Sequence, residues 1–422
     1  MEKKFKLFLN DLKLFIYKIL FIFFFILNIK KILASKTVFF FRNKKYFVGN
    51  GFGHYTWTSF YLIALKIDDV FIIDFYNKFN QKIYVFFNLN SAKFTLHRKR
   101  YFQLNQKNIF LFYNFCENVF KLFNKKVINS IDDLYFFDKS QKNFFFKKYN
   151  SLQNIKKNTF YRAVLSKYDM WYNFVYSEKK DFNLKKNINS KYLKNIDKRL
   201  NFHYNNGKNL VFYRRLRNLS KDFIIRKGMK DQKSGSVDIN YYQKFFNFLK
   251  KNNYNVFMVG DFTNDEISII KKKYQFNISE KKIDNSDFYI NAIANCDYFI
   301  GDSGGAADLA MLLKKKILLI NFSEIGVIVP NTIIFPKSFK NTSSKKSVEM
   351  TLDEALAYTL TNNFEKLKLN CSLELVEIEQ LLLVTEKFLN NYKNLMVNHY
   401  RDPLTSNMEK YNCFFVKEWL NR

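Results

Sequence analysis

From Lys208 to Asn321 short apolar runs alternate with stretches of helical period, and few folds accept that alternation. Asn209–Tyr213 reads as a buried strand. In Asp238–Asn252 the residues Tyr242, Phe245, Phe246 and Leu249 make one helical face. Asn255–Val259 reads as a second strand, closing on Gly260-Asp261, and Asn264–Lys273 as a short helix. Ser286–Asn295 reads as another helix, Tyr298–Ile300 as a third strand, and Gly301–Gly305 as a turn. A helix through Met311 and a fourth strand, Lys316–Asn321, complete the series. Strands separated by helices at this spacing give a parallel sheet with crossover helices. Such sheets bind ligands beyond the carboxyl ends of their strands. The chain has 422 residues, too many for one ordinary core, and suits two α/β domains with extensions.

The remaining segments are expected to divide as follows. Residues 1–35 form an apolar, basic N-terminal helix. Residues 36–205 form a first Rossmann-like domain, with extended segments at Val38–Phe41, Tyr46–Val48, Val70–Ile73 and Ile83–Phe87 and a helix at Ile109–Phe123. Residues 206–345 form the second, and residues 346–422 a mostly helical extension with an amphipathic stretch from Leu373 to Leu395. Gly49-Asn50-Gly51-Phe52-Gly53-His54 stands out because the whole chain has only 11 glycines and three fall within five residues. That clustering points to positive φ or to close approach of a ligand.

Net charge is +33, from 70 Lys and Arg against 37 Asp and Glu. Such an excess suits polyanions, but the lysines are spread along the chain and no nucleic-acid-binding motif accompanies them. Abundant Lys, Asn, Phe and Ile with scarce Gly and Pro is also what an A/T-rich coding bias produces. Nucleic acid is therefore not an expected partner. The cysteines Cys116, Cys296, Cys371 and Cys413 are too far apart for a metal or redox motif, and the four histidines are equally scattered. A cytoplasmic location with reduced thiols is expected, and no metal or cofactor.

In the N-terminal segment, Lys3, Lys4 and Lys6 precede an apolar stretch from Leu14 to Ile29 that Lys18 interrupts, and Lys30 and Lys31 follow. Lysine at mid-bilayer costs about 2.5–3.5 kcal/mol. A helix lying on an anionic membrane surface is the favoured expectation, ahead of one packed on the protein's own core and of a true span. No cleavage site of the small-residue type follows.

The sharpest motif is Tyr298-Phe-Ile-Gly-Asp-Ser-Gly-Gly-Ala-Ala-Asp-Leu-Ala310. A buried strand enters a small-residue turn and then a helix start, whose first N–H groups lack internal partners and carry partial positive charge. Ser303 adds a hydroxyl, and Gly304 and Gly305 let the backbone approach an anion, which makes a diphosphate seat. The plainer alternative is a tight turn with Asp302 or Ser303 as an N-cap.

Asn295-Cys-Asp-Tyr-Phe-Ile-Gly-Asp-Ser-Gly resembles the motif of a bacterial family of glycosyltransferases associated with surface-polysaccharide synthesis, and more distantly the Asp-Ser/Thr-Gly turn of heptosyltransferases. Four further segments resemble that family in the same order: Tyr242 through Gly260-Asp261, Ser286-Asp287-Phe288, Phe335-Pro336-Lys337, and Thr351-Leu352-Asp353-Glu354. The resemblance covers about a third of the chain. It implies the GT-B fold, two Rossmann-like domains facing across a cleft. It also implies transfer of a sugar from a nucleotide-diphosphate donor to a glycan or lipid-linked acceptor, without metal. The family's His-x-Arg-Asp/Glu at the end of this domain's first strand reads Tyr213-Arg214-Arg215-Leu216 here, and its later arginine falls on Gly235.

Arg215, Ser303, Gly304, Gly305 and Lys337 are the expected donor-phosphate ligands, with Arg214 in place of Arg215 if the register is one off. His54 is the candidate general base, in an acceptor-side loop with Gly51 and Gly53. Asp287 and Asp297 are expected to be structural. A nucleotide-sugar epimerase of the same fold, or a non-catalytic glycan or nucleotide binder, are the alternatives.

Overall fold

The computed structural model describes residues 2–40, 56, 59, 62–63, 70–74, 81–94, 106–128, 187–200, 202–204, 207–215, 237–279, 285–322, 332–341, 348–350, 371–390, 396–397 and 413–416. It divides into two compact units. One comprises Met1–Phe144 with Asn183–Asn195, the other Phe145–Phe182 with Ile196–Arg422. Gly49–His54, Leu216, Gly235 and Thr351–Glu354 lie outside the described residues.

The first unit opens with a long helix, α1 (Glu2–Leu27), and a short one, α2 (Ile29–Ala34). Strand β1 (Thr37–Phe40) follows, then β2 (Val70–Asp74), helix α3 (Gln81–Phe86), β3 (Asn90–Lys93), helix α4 (Gln106–Leu122) and β4 (Lys126–Ile128). The sheet order is β3-β2-β1-β4 and every pairing is parallel. Val38, Phe71 and Ile73 point to one face. There they meet Tyr17, Phe21 and Phe25 of α1 and Phe112, Cys116 and Phe120 of α4. The ring of Phe21 stands edge-on to those of Phe112 and Phe120. Each such fully buried large side chain contributes roughly 1.5–3 kcal/mol. The segment expected to be a strand at Ile83–Phe87 is instead largely within α3. Its apolar run is continuous, and such a run fits a buried helix as well as a buried strand. Val85 alone turns outward while Ile83, Tyr84, Phe86 and Phe87 are buried.

Helix α5 (Ser190–Leu200) leads into the second unit. It continues with β5 (Asn209–Arg214), a 3-10 turn at Ile239–Tyr242, α6 (Gln243–Lys251), β6 (Asn255–Gly260), α7 (Asn264–Ile269), β7 (Asn277–Ile278), α8 (Ser286–Asn295), β8 (Tyr298–Gly301), α9 (Gly305–Leu312), β9 (Lys316–Phe322) and β10 (Thr332–Pro336). These strands lie in the order β10-β9-β8-β5-β6-β7, parallel throughout. Counted along the chain that is third, second, first, fourth, fifth, sixth when read from β7, the doubly wound Rossmann order. The first unit repeats its first four places. Phe212 meets Tyr242 and Phe246 on the α6 side, while Phe257, level with Val211, meets Phe288 of α8. The sheet is covered on both faces, which is why its strands read as unbroken apolar runs.

Within the segment 346–422, expected to be a mostly helical extension, the described residues hold short strands as well as a helix. After β11 (Ser338–Asn341) come β12 (Val348–Glu349), β13 (Cys371–Glu374), helix α10 (Ile378–Asn390), β14 (Met396–Val397) and β15 (Cys413–Val416). β15 joins the main sheet parallel to β10, and β14 pairs antiparallel to β15. β11, β12 and β13 form a small antiparallel sheet. The amphipathic helix thus begins at Ile378, later than the expected Leu373. These strands are held by partners far away in sequence and leave little local period to read.

Candidate functional site

The strand order reverses between β5 and β8, and the ends of these two strands define the crevice where doubly wound sheets take ligands. Tyr213 is level with Gly301. Gly301 has φ +148, and a Cβ on it would sit 2.0 Å from the Tyr213 carbonyl oxygen, so only glycine lets the two strand ends run this close. The next residue fastens them. Asp302 N–H donates to the Tyr213 carbonyl at 2.9 Å, and the Asp302 carboxylate accepts from the Arg215 N–H at 2.8 Å.

The side chain of Arg215 thereby starts beside the turn. Its Cδ is 3.5 Å from where a Cβ on Gly304 would be. Gly304 (φ +152) is the N-cap of α9 and offers no side-chain cap to the first turn. The same missing Cβ would lie 2.8 Å from the Tyr213 hydroxyl, so the turn rests on a buried phenol. Burial raises that hydroxyl well above its ordinary pKa, and it stays neutral. Ser303, Gly304 and Gly305 are all partly exposed. Among the described residues no carboxylate pairs with the Arg215 guanidinium and no group bonds the Ser303 hydroxyl. A cation, a hydroxyl and an uncapped helix start therefore converge on one partly open turn.

Arg214 points the other way, as strand alternation requires. It is only 4% exposed, its Nη1 bonds Glu266 Oε1 at 2.6 Å, and it stacks over the Phe262 ring. Glu266 also closes the capping box of α7 with Thr263. Arg214 is thus committed to tying α7 to β5, which removes it as a substitute for Arg215.

Lys337 is set apart from this cluster. It follows β10, two strands from β8, or about 10 Å at ordinary strand spacing, and it is buried, with its N–H on the Phe322 carbonyl. His54, Gly51 and Gly53 lie outside the described residues. Asp287 pairs with Arg199, and the Asp297 carboxylate accepts from the Asn209 backbone and side-chain amides at 3.0 and 3.1 Å. Both are structural, as expected. The sequence reading missed the clasp. Asp302 is not an N-cap: its carboxylate binds the main chain at the end of β5. The available signal was an acid directly after a strand-ending glycine.

No family model and no curated protein matches the chain. Among solved structures, the glycosyl transferase family 9 protein from Veillonella parvula DSM 2008 is similar at 11% identity and TM-score 0.42, covering 82% of this chain and 97% of that one. Escherichia coli heptosyltransferase WaaC with ADP-2-deoxy-2-fluoro heptose is similar at 9% identity and TM-score 0.37, covering 78% and 98%. UDP-GlcNAc 2-epimerase from Neisseria meningitidis bound to UDP-GlcNAc is similar at 11% identity and TM-score 0.36, covering 84% and 93%.

Proposed function

We propose that the chain is a GT-B glycosyltransferase that moves a sugar from a nucleotide-diphosphate donor to a glycan or lipid-linked acceptor in surface-polysaccharide synthesis. The observation that carries this is Arg215, fixed by Asp302 over Gly304 at the switch point of a Rossmann sheet, beside the uncapped start of α9. In this reading the diphosphate lies on the first-turn amides of α9, with Ser303 donating and Arg215 bridging the phosphate oxygens. Transfer breaks the bond between the sugar's anomeric carbon and the diphosphate oxygen as the acceptor oxygen bonds that carbon. The leaving diphosphate gains charge, and fixed amides and a guanidinium stabilise it without reorganising. The acceptor proton passes to a base, for which His54 is the candidate. Lys337, buried beyond the end of β10, is set apart from this grip.

Arg215→Ala should weaken about a hundredfold, and Gly304→Asp should abolish, binding of ADP, UDP, GDP or CDP, whichever of them stabilises the wild type in a thermal-shift screen. Unchanged affinity in both variants removes the proposal. One observation favours a second reading, a binder without turnover. Tyr213 occupies the strand-end place of the resembled family's histidine as a neutral, buried phenol and cannot exchange a proton near neutral pH. Sugar transfer by the purified chain, or epimerisation of donor alone, separates the three readings.

A further inference from the structure

From Leu14 to Leu27 helix α1 is apolar on every side except at Lys18. A helix of that kind needs two apolar surroundings, and the fold supplies one. Leu14, Tyr17, Phe21 and Phe25, spaced three or four apart, are packed against α4 and the first sheet. The opposite face, carrying Leu12, Phe15, Ile19, Phe23, Ile26 and Leu27, is exposed, with Phe15 at 59%, Phe23 at 60% and Leu27 at 84%. At 1.5 Å per residue this band runs for roughly 22 Å from Leu12 to Leu27. Past its end, Phe123 packs on Phe25 while remaining partly open, and Leu122 beside it is exposed. Solvated proteins rarely keep an apolar surface of this extent uncovered.

We propose that this face of α1 docks on a bilayer containing anionic lipid. The helix lies in the boundary between headgroups and acyl chains while its inner face stays on the protein's own core.

Charge and composition select this occupant. Residues 2–36 hold eight lysines against Glu2 and Asp11. At 100° per residue, Lys13 and Lys18 fall on opposite borders of the exposed band, where their stems lie along apolar surface and their ammonium groups reach headgroup phosphates. Lys18 already lies along the Phe115 ring, its Nζ 5.4 Å from the ring centre. Lys30, Lys31, Lys36 and Lys121 are exposed around the helix's carboxyl end. A protein partner is selected by a different surface. The strongest anchors of interfaces between proteins are Trp, Tyr and Arg, and residues 2–36 contain no Trp and no Arg, and their one Tyr, Tyr17, is buried; Lys, which borders this band, is depleted at such interfaces. The inner face of α1 is packed on the protein's own core along its length, so the geometry is contact in the plane.

The test is co-sedimentation of the full chain with phosphatidylcholine vesicles, with and without phosphatidylglycerol. The wild type should bind the anionic vesicles, and raising salt should weaken binding. Phe15→Glu, Ile19→Glu and Phe23→Glu together should lower vesicle partitioning about a thousandfold, since each immersed side chain contributes roughly a factor of ten. Nucleotide-diphosphate affinity should not change. Ile19→Trp, a swap between apolar residues, gives an independent reading should the triple variant fail to fold. Its added emission should be quenched by brominated acyl chains. A wild type that ignores vesicles, a triple variant that binds as well as wild type, binding indifferent to phosphatidylglycerol, or no quenching at position 19 each overturn the proposal. So does a wild-type dimer that the triple variant dissociates, which would assign the face to a second copy.

Discussion

Arg214 and Arg215 are adjacent in sequence and have opposite fates, and exchanging each for alanine separates stability from binding. Arg214 is buried with Glu266, which is 14% exposed. Removing the guanidinium leaves that carboxylate without its partner, and breaking a buried pair costs about 3–5 kcal/mol. The partial exposure of Glu266 and its second bond, to the Thr263 N–H, place the cost at the lower end, about 3 kcal/mol. For a domain of this size roughly 2–4 °C accompanies each kcal/mol, so the unfolding transition of the second unit should fall by about 6–12 °C. Nucleotide-diphosphate affinity at temperatures where the variant is folded should stay within about threefold of wild type. Arg215→Ala should do the reverse. Among the described residues its side chain has no ion pair to lose, so melting should move by less than about 2 °C. Two charge-assisted hydrogen bonds to phosphate would be lost at roughly 1.5 kcal/mol each, which is about a hundredfold in Kd. Calorimetric titration of the nucleoside diphosphate that binds wild type best, alongside differential scanning calorimetry, reads both quantities. Retained affinity in Arg215→Ala with lost affinity in a folded Arg214→Ala refutes the strand-end assignment.

Asp302→Ala should weaken the same ligand about tenfold by freeing the Arg215 backbone, whereas Asp302→Asn, which keeps an acceptor, should stay near wild type in the same titration. Gly304→Ala should destabilise the second unit by about 2 kcal/mol in urea unfolding, because the new methyl meets the Tyr213 hydroxyl and the backbone sits at positive φ. Alkali should unfold the second unit. Burial holds Tyr241 up at about 12 and raises Tyr242 and Tyr213 above their ordinary 10.0, so the folded state keeps protons that the unfolded chain releases. Their contribution is intact below pH 10 and is lost as pH rises from there towards 12, which melting curves between pH 8 and pH 12 would record. In a chain with Cys371 and Cys413 replaced by serine, Ellman's reagent at pH 8 should react slowly until denaturant is added. Burial pushes the Cys296 thiol up to about 12 and raises Cys116 well above its usual value.

The second unit was legible wherever one segment carried its own signal. β5, β6, α8, β8 and β9 fall where apolar runs and helical spacing place them, because a sheet covered on both faces imposes its hydrophobicity on each strand separately. β13 and β15 were not legible. Cys371-Ser-Leu-Glu374 has no alternation to read, and its conformation is imposed by β11, some thirty residues earlier. α3 was misread because a compact apolar run fits either conformation. For α1 the sequence offered membrane or core as rival surroundings, yet opposite sides of the helix have different surroundings, and only coordinates separate them. The glycine turn was visible as a motif. The Asp302 clasp was not, since a bond between strand ends depends on register, which residue types alone do not specify.

That clasp bears on how the crevice is built. Because Asp302 ties its own amide to the Tyr213 carbonyl and its carboxylate to the Arg215 N–H, the root of the arginine is fastened to the end of the sheet. The anchor is therefore in place before any ligand arrives. On the proposed reading, association would be limited by encounter and desolvation, and changes in the surrounding loops would retune which sugar is accepted while the grip on the phosphates persists.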